Sequence, residues 1–355
     1  MTGKLKILNI SSNGRGGLEI FARNIHEELK NEFDIQTVAG EESLLKLYPL
    51  LKNSDIIIVH KNAFIKKRIF PILLFLSLTE STKTKKNRKV ISFQHFLPFS
   101  FKKDIFHKIL YSKIDKFIAV SKKIAEGMRK NWAVNPNKII TIYCGIDEKK
   151  FLFSEDLKHK IRKKLKIGGE EKVLGVVARI TKKKNQEIII KAISTSEKLK
   201  NEKLKIIFVG DLEDKKYYKK LLKITKDKGF ENKTVFLPFT EEINKIYNAF
   251  DFLVITSKDE PFGLVGLEAL ATKIPVVAPD EAGISEVLED GKDSFIYRTN
   301  NEKSLAEKIE LALKTPQEKI KIMGEYGRKK IEDKFTIKRC SSDIKKVIYE
   351  LINEN

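Results

Sequence analysis

The sequence predicts an α/β protein made of two doubly wound domains, each with a parallel sheet between layers of helices. Short apolar runs alternate with amphipathic helical patterns, the alternation occurs twice, and a highly charged segment at residues 147–166 separates the two series. A length of 355 residues also favours two domains, and 41% hydrophobic residues suffice to fill two cores. We therefore place the domains at residues 1–150 and 151–335, with residues 147–166 as linker and lead-in helix.

The first series supplies six predicted strands. Its apolar runs are short and nearly continuous, as expected for strands buried on both faces of a parallel sheet. Helical patterns such as residues 18–29 and 122–131 lie between them. The predicted strands are residues 5–10, 35–38, 56–60, 90–93, 117–120 and 139–143.

The second series predicts six more strands, followed by helices at residues 324–333 and 336–352. Ligands of such sheets bind beyond the carboxyl ends of the strands, so the site of a two-domain protein is expected in the cleft between the domains. The predicted strands are residues 173–178, 206–210, 235–237, 252–256, 275–278 and 295–297.

The net charge of +22 is unevenly distributed. Residues 1–150 hold 28 Lys and Arg against 14 Asp and Glu, whereas residues 151–355 hold 42 against 34. A lysine-rich genome would raise the count everywhere and does not explain the difference between the halves. The basic first half is expected to attract a polyanion, which can be a nucleic acid, anionic lipid headgroups or a phosphorylated substrate.

The expected location is the cytoplasm. The amino terminus enters a predicted strand directly and lacks the apolar stretch of a signal peptide. Cys144 and Cys340 are the two cysteines, and neither belongs to a CxxC pair. This composition favours a reducing compartment and argues against a structural zinc site.

The most informative motif is Glu260-Pro-Phe-Gly-Leu-Val-Gly-Leu-Glu268. It opens a predicted helix, and the first N–H groups of a helix are unpaired and partly positive, which suits a phosphate. Eight helical residues rise by roughly 12 Å. That separation is too large for two carboxylates acting on one bond, which lie ~5 Å apart in retaining glycosidases. It suits one long ligand, a nucleotide sugar, with its sugar at Glu260 and its ribose diol at Glu268. The diphosphate is expected over the amides of Phe262, Gly263, Leu264 and Val265.

This stretch resembles the E-x7-E motif of the family 4 retaining glycosyltransferases, a glycosyl transferases group 1 type with the GT-B fold. Pro-Phe-Gly after the first Glu and Leu-Glu-Ala-Leu-Ala around the second agree with that motif. The resemblance implies transfer of a sugar from a UDP-, GDP- or ADP-sugar to an acceptor hydroxyl, with retention of configuration. It also implies no metal and no cofactor. The acceptor is expected to be a cell-envelope glycan or a lipid-linked saccharide.

Two further segments carry the resemblance. Val177-Ala-Arg179-Ile-Thr-Lys-Lys-Lys184 is similar to the G-R-L-x-x-x-K element of the family, with Ala178 in place of its Gly. A forked guanidinium at Arg179 and an ammonium at Lys184 would stabilise the charge on a departing diphosphate.

Near the amino terminus, Asn13-Gly-Arg-Gly-Gly-Leu-Glu19 resembles the GG-x-E element of the family. Its Gly16, Gly17 and Glu19 would then meet the acceptor and the donor phosphate.

His95 ends the fourth predicted strand in Ser-Phe-Gln-His95. The family often has a His at this point, so the resemblance implies contact with the donor sugar. His60 follows the third strand and is a weaker candidate for the same site. No pair of histidines is spaced as a metal site, and no Ser/His/Asp set is legible.

The junction of the domains also fits the family. Ile142-Tyr-Cys144-Gly145-Ile-Asp147 resembles an I-x-N-G-I-D element, with Cys144 replacing Asn. By the same resemblance, the last helix, residues 336–355, is expected to cross back onto an acceptor-binding domain at residues 1–150. Residues 151–335 then form the donor-binding domain. Both domains are expected to be Rossmann-like.

The segment at residues 64–89 combines an apolar stretch with a basic run at residues 83–89. The apolar stretch, residues 64–78, is shorter than the ~20 apolar residues that span a bilayer. A basic, aromatic-bearing segment can instead lie on an anionic leaflet, which would make the protein peripheral on the inner face of the cell membrane. A buried helix with a solvated loop is the equal alternative.

Two other functions remain open. A GT-B relative that epimerises a sugar nucleotide would use the same donor residues without an acceptor. A basic nucleic-acid-binding protein would explain the charge. Because no recognition module is legible and no aromatic cluster accompanies the basic run, we expect no nucleic-acid partner.

Overall fold

The computed structural model describes residues 4–79 and 86–353 and divides into two compact units. Unit 1 comprises Met1–Ile146 together with Phe335–Asn355, and unit 2 comprises Asp147–Lys334. Each unit contains one six-stranded parallel sheet with helices packed around it. The α/β class with two doubly wound sheets is therefore confirmed.

The sheet of unit 1 has the strand order β2-β1-β3-β4-β5-β6. Because β1 pairs with both β2 and β3, the order reverses beside β1. The strands are β1 Lys6–Ser11, β2 Asp34–Ala39, β3 Ile56–Val59, β4 Lys89–Gln94, β5 Lys116–Ala119 and β6 Ile139–Thr141. Helices α1 to α6 are Gly17–Leu29, Leu44–Asn53, Asn62–Phe64, Phe70–Thr79, Ile105–Ser112 and Lys122–Asn131. A π-helical turn, Ile65–Ile69, joins α3 to α4, and a 3₁₀ turn, Pro136–Lys138, precedes β6.

The sheet of unit 2 has the order β12-β11-β10-β7-β8-β9, so β7 and β10 are neighbours at its centre. Its strands are β7 Lys172–Val177, β8 Leu204–Val209, β9 Thr234–Leu237, β10 Phe252–Val254, β11 Val276–Pro279 and β12 Ser294–Tyr297. Helices α7 to α14 are Glu155–Lys164, Glu187–Thr195, Glu197–Asn201, Lys215–Asp227, Ile243–Tyr247, Leu264–Ala271, Glu302–Lys314 and Gln317–Lys334. The 3₁₀ turns are Lys182–Lys184, Glu231–Lys233 and Gly283–Glu286.

All twelve predicted strands are present, and their ends differ from the prediction by at most two residues. The charged segment 147–166 contains only the short helix α7, which begins after the N-cap Ser154. The helix predicted at residues 324–333 is longer: α14 begins at Gln317, because Ile320 and Met323 continue its buried side.

The carboxyl-terminal helix α15, Ile337–Asn353, belongs to unit 1 although it follows unit 2 in the chain. The chain returns through a parallel bridge between Ile146 and Thr336. Gly145 is required there, since a Cβ on it would lie 2.2 Å from the carbonyl oxygen of Thr336. The crossover predicted for the last helix is therefore observed.

Helix α15 contacts α1 and the turn after it. The ring of Tyr349 lies 5.7 Å from that of Phe33, and Lys345 pairs with Glu32 at 2.5 Å. The apolar side that covers unit 1 consists of Ile337, Cys340, Ile344, Val347, Ile348 and Leu351.

Among the described residues, no helix combines the length and the apolar character needed to cross a bilayer.

We predict that Ile348→Ala lowers the stability of unit 1 by about 2–5 kcal/mol, because Ile348 is fully buried and its loss leaves a cavity. Removal of residues 336–355 should unfold unit 1. Trp132, the single tryptophan of the chain, lies in unit 1, so urea titration followed by its fluorescence reports on that unit. Lys346→Ala on the exposed side of α15 is the matched control and should leave the midpoint unchanged. Equal midpoints for the two variants would contradict the prediction.

Candidate active site

The central feature of unit 2 is the connection from β10 to α12, which carries the Glu260–Glu268 motif. It lies beside the connection from β7, at the point where the strand order of the sheet reverses. Such switch points open a crevice at the carboxyl ends of the strands, where ligands of doubly wound sheets bind. The segments after β7 and after β10, both predicted to bind the nucleotide sugar, therefore meet at one edge of one sheet.

Glycines allow the loop before α12 to fold tightly. Gly263 immediately precedes the helix with φ +99°, a conformation that side chains with a Cβ adopt rarely. A Cβ on Gly283 would lie 2.0 Å from the carbonyl oxygen of Pro261, so the 3₁₀ turn after β11 presses directly on the loop. This packing fixes the helix start at Leu264.

The first amides of α12 are available to a ligand. Leu264 and Val265 occupy its first turn, and among the described residues no backbone hydrogen bond satisfies their N–H groups. The side chain of Phe262 is buried, so only its backbone can face a ligand. The helix start therefore has the unpaired donors and the partial positive charge that favour an anion.

The structure brings Lys184 and Glu260 together. The ammonium of Lys184 donates to the carboxylate of Glu260 at 2.7 Å, and Glu260 is only 9% exposed. Thr256 Oγ1 donates to the carbonyl oxygen of Lys184 at 2.7 Å and so ties the Lys184 turn to the end of β10. Sequence analysis did not identify Thr256, whose hydroxyl follows the strand without any motif.

Arg179 lies on the same connection after β7 but makes a different pair. Its guanidinium contacts Glu213 at 2.6 Å, and both side chains are more than half exposed. Exposed pairs of this kind contribute little stability, so Arg179 can exchange Glu213 for a phosphate at small cost. Its backbone is held more firmly, because the buried Gln186 donates to the Arg179 carbonyl at 2.8 Å.

Glu268 is the fifth residue of α12, about one turn from its start, and is half-buried. The eight-residue helical spacing expected from Glu260 is wrong, because residues 260–263 precede the helix. Tyr247 Oη donates to its carboxylate at 2.8 Å, and burial raises the pKa of Glu268 to about 7. Glu268 therefore changes charge near neutral pH, whereas a cation balances Glu260. Sequence analysis missed Tyr247, because an aromatic residue in an apolar helical pattern gives no signal beyond core packing.

In unit 1, the loop between β1 and α1 carries the predicted glycines. Gly16 is the N-cap of α1 and Gly17 its first residue. The hydroxyl of Ser12 donates to the carboxylate of Glu19, which folds back over the loop. A Cβ on Gly14 would lie 2.8 Å from that carboxylate and one on Gly16 3.0 Å from it, so the glycines make room for Glu19.

His95 follows β4 in unit 1 and is half-buried. Its Nε2 lies 3.1 Å from Nδ1 of the fully buried His60, whose Nε2 lies 2.9 Å from Oδ1 of Asn9. Burial lowers the pKa of His95 to about 3 and that of His60 well below its ordinary value. His95 is therefore neutral at physiological pH and can offer a ligand a hydrogen bond but no charge.

Within the described part of the chain, no group of three or more His, Cys, Asp or Glu side chains is arranged to hold a metal ion.

Two family matches adjoin along the chain. Residues 158–330 match the family described as Glycosyl transferases group 1. Residues 42–150 match Glycosyltransferase Family 4. Together they cover most of both units and include Lys184, Glu260, Glu268 and His95.

Curated relatives agree with these matches. An uncharacterised glycosyltransferase of Methanocaldococcus jannaschii is 31% identical over 193 residues, which is 53% of this chain and 48% of that protein. The capsular polysaccharide biosynthesis glycosyltransferase CapM of Staphylococcus aureus is 25% identical over 92% of this chain and 85% of its own length. The first four curated relatives are matched over about half to two thirds of their length, from 48% to 65%.

A solved structure shows the same fold. The complex of Anabaena HepE with UDP and glucose aligns with a TM-score of 0.82 and 20% identity, over 98% of this chain and 100% of that one. The two-sheet architecture is the GT-B fold, and the two adjoining matches make this chain similar to the group 1 and family 4 glycosyltransferases.

Proposed function

We propose that the protein transfers a sugar from a nucleoside diphosphate sugar to an acceptor hydroxyl with retention of anomeric configuration. The observation that carries this proposal is the arrangement around α12 in unit 2. A carboxylate paired with a lysine stands before the helix, amides without a backbone partner lie at its start, and a second carboxylate lies about one turn into it. One extended ligand can contact all three.

The parts of the ligand follow from the chemistry of each position. The diphosphate fits the amides of Leu264 and Val265, with Lys184 and Arg179 as counter-charges. The ribose diol fits Glu268, since a carboxylate accepts hydrogen bonds from both hydroxyls. The sugar then lies at Glu260, where a carboxylate stabilises the positive charge that develops on the anomeric carbon.

In the proposed reaction, the bond between the anomeric carbon and the phosphate oxygen breaks on the face that the acceptor oxygen attacks. The acceptor hydroxyl gives its proton to the departing phosphate oxygen. The products are a glycoside of unchanged configuration and a nucleoside diphosphate. Lys184 and Arg179 stabilise the charge that collects on the leaving group, which supports a reaction without a metal.

The comparisons support a uridine nucleotide as donor, because solved structures of HepE are complexes with UDP and with UDP-glucose. They also support an envelope glycan as acceptor, because CapM is named for capsular polysaccharide biosynthesis. A thermal-shift screen of UDP-, GDP-, ADP- and CMP-sugars tests the donor, since a ligand of the folded state raises the melting temperature. An epimerase would consume the donor found in this screen without any acceptor.

We also propose that unit 1 docks on an anionic membrane. Its amphipathic surface is formed by exposed large apolar side chains, namely Leu74, Phe75, Phe96, Phe99, Phe101, Ile105, Phe106 and Ile109. Five of these side chains are aromatic, and all eight lie within residues 74–109 of unit 1. Six of these residues follow β4, so the surface extends beyond the segment 64–89 that the sequence indicated. Of that segment, residues 80–85 lie outside the described part of the chain.

The charges around the amphipathic surface favour lipid headgroups. Residues 62–79 and 86–113 include ten Lys or Arg and a single acidic residue, Asp104. The ammonium of Lys66 lies 5.1 Å from the ring centre of Phe106. Burial lowers the pKa of Lys102, and the charge of Lys66 lowers it further. Aromatic side chains beside lysines suit an anionic bilayer interface, where each Lys or Arg adds about 1 kcal/mol.

We predict that the two acids of the motif have separable roles. Glu268→Gln should weaken binding of the bare nucleoside diphosphate roughly 10- to 100-fold, the value of a charged hydrogen bond. Glu260→Gln should leave that affinity nearly normal but lower kcat by about 100-fold, as when a preorganised charge is removed. Calorimetry with the nucleotide and steady-state kinetics with the donor measure the two effects.

The pH dependence of nucleotide binding is a further test of the roles of Glu260 and Glu268. Because burial raises the pKa of Glu268 to about 7, nucleotide affinity should fall as the pH is lowered through neutrality and the carboxylate gains a proton. The Glu268→Gln variant should lose the part of this pH dependence that the Glu268 carboxylate causes. Ionisation of the nucleotide phosphate should affect the wild type and this variant equally. An equal loss of nucleotide affinity in Glu260→Gln and Glu268→Gln would refute the assignment of roles.

We predict that turnover needs no divalent metal. The lysine and arginine offset the diphosphate, and the sequence contains no DxD motif of the kind that holds Mn²⁺ or Mg²⁺ in metal-dependent transferases. Activity after dialysis against EDTA should equal that of the untreated enzyme. Activity that is lost in EDTA and returns only with Mg²⁺ or Mn²⁺ would disprove this.

We predict that the protein floats with phosphatidylglycerol-containing vesicles and that a triple variant, Phe99→Ser, Phe101→Ser and Ile105→Ser, does not. These side chains are 70%, 72% and 78% exposed, so their loss should spare the fold. Leu311→Ser with Ile322→Ser, at exposed apolar positions of unit 2, is the matched control and should still float. Equal flotation of the two variants would rule out docking through this surface. A triple variant that floats normally but no longer uses a lipid-linked acceptor would assign the surface to the acceptor instead.

A further inference from the structure

A line of hydrogen-bonded polar side chains runs through the core of unit 1 to the site end of β4. His26 Nδ1 lies 2.9 Å from Thr37 Oγ1, and Asn9 Nδ2 lies 3.0 Å from the same hydroxyl. Asn9 Oδ1 then contacts His60, and His60 contacts His95. Asn9 and His60 are both fully buried, so neither can take its partners from water.

The direction of these hydrogen bonds is set by Asn9. Its Nδ2 lies 3.1 Å from the backbone carbonyl oxygen of Ala22, a group that can only accept. The amide nitrogen must therefore face Ala22, and the amide oxygen must face Nε2 of His60. Since Oδ1 can only accept, Nε2 of His60 carries a hydrogen.

The same reasoning extends to His95. A neutral imidazole with its hydrogen on Nε2 has a lone pair on Nδ1. Nδ1 of His60 can therefore only accept, and Nε2 of His95 must be the donor across their 3.1 Å contact. The hydrogen of neutral His95 is thus used inside the protein, and its Nδ1 has a lone pair with no partner among the described residues.

We propose that Asn9 and His60 are positioning residues that hold His95 as the Nε2–H tautomer, so that its Nδ1 accepts a hydrogen bond from a sugar hydroxyl. This inference rests on the proposed transferase function for its ligand, but the tautomer follows from unit 1 alone. The lone pair on Nδ1 repels a phosphate oxygen. His95 therefore suits an uncharged hydroxyl and not a phosphate.

The low pKa values of both rings agree with this arrangement, since burial keeps them neutral across the physiological range. The packing agrees as well. The ring of His60 stacks on Phe93 with centroids 4.9 Å apart and meets Phe21 edge-on at 6.1 Å. Both the rotation and the protonation of His60 are therefore restricted.

The first test does not depend on activity. In protein labelled with ¹⁵N-histidine, long-range ¹H–¹⁵N spectra separate protonated from unprotonated ring nitrogens, and His95→Gln identifies the His95 signals. We expect Nε2 protonated and Nδ1 unprotonated from pH 5 to 8. A cationic His95, or a hydrogen on Nδ1, would overturn the proposal whether or not the protein is a transferase.

The second test reverses the direction of the hydrogen bond between His60 and His95. In Asn9→Asp, a carboxylate beside Nε2 favours the cationic form of His60, which then donates from both nitrogens. Nε2 of His95 becomes the acceptor, and its hydrogen should move to Nδ1 in the same spectra. His95 that keeps the Nε2–H tautomer beside a cationic His60 would contradict the proposal.

A third variant covers the case in which the buried charge of Asn9→Asp prevents folding. His60→Phe keeps an aromatic ring against Phe93 but removes both nitrogens, so His95 should populate both tautomers. Donor kcat/KM should fall about tenfold, while affinity for the bare nucleoside diphosphate stays unchanged.

Thr37→Val is the matched control, because Ala22 still fixes the amide of Asn9 without the Thr37 hydroxyl. It should keep both the tautomer and the kinetics of the wild type. A folded His60→Phe protein with the wild-type tautomer of His95 would refute the positioning role. If the spectra change as expected but no donor is turned over, the proposed function fails and the tautomer assignment stands.

Discussion

Burial of both faces of a parallel sheet is the constraint on which the rest of this structure depends. Helices cover the sheet faces, so only the strand ends remain for polar chemistry. Lys184 follows β7, Glu260 follows β10, and His60 and His95 follow β3 and β4. In each unit these residues are neighbours because their strands are neighbours, although 76 residues separate Lys184 from Glu260 along the chain.

The two acids of the motif occupy low-dielectric positions but are accommodated differently. Glu260 is almost fully buried, and the ammonium of Lys184 lies 2.7 Å from its carboxylate. The carboxylate of Glu268 accepts a hydrogen bond from the Tyr247 hydroxyl, and burial raises its pKa to about 7. A paired acid holds a constant charge through a reaction, whereas an unpaired one gains most when a ligand supplies hydrogen-bond donors. This difference suits a charge-stabilising role for Glu260 and a ligand-binding role for Glu268.

The histidine side chains that follow β3 and β4 in unit 1 are neutral. His95, His60 and Asn9 form a neutral line, and the Glu19 carboxylate is held by Ser12 at the glycine loop. Ten cations of this unit lie in residues 62–79 and 86–113, which also carry five exposed aromatic side chains. Local surroundings therefore separate the polar recognition groups of unit 1 from its basic, apolar exterior, which a net charge of the whole chain cannot reveal.

The sequence by itself determined the two-sheet class, all twelve strands and the segments that carry the candidate site. Apolar periodicity records burial directly, and the motifs around Lys184 and Glu260 depend on local chain geometry that glycine positions reveal. Tertiary structure alone decided how these residues are paired and charged. Tyr247 beside Glu268, Thr256 on the Lys184 turn, and the line from Asn9 through His60 to His95 join positions far apart in the chain. Hydrogen-bond direction and pKa depend on which groups meet in a buried space, and no pattern of neighbouring residues encodes that meeting.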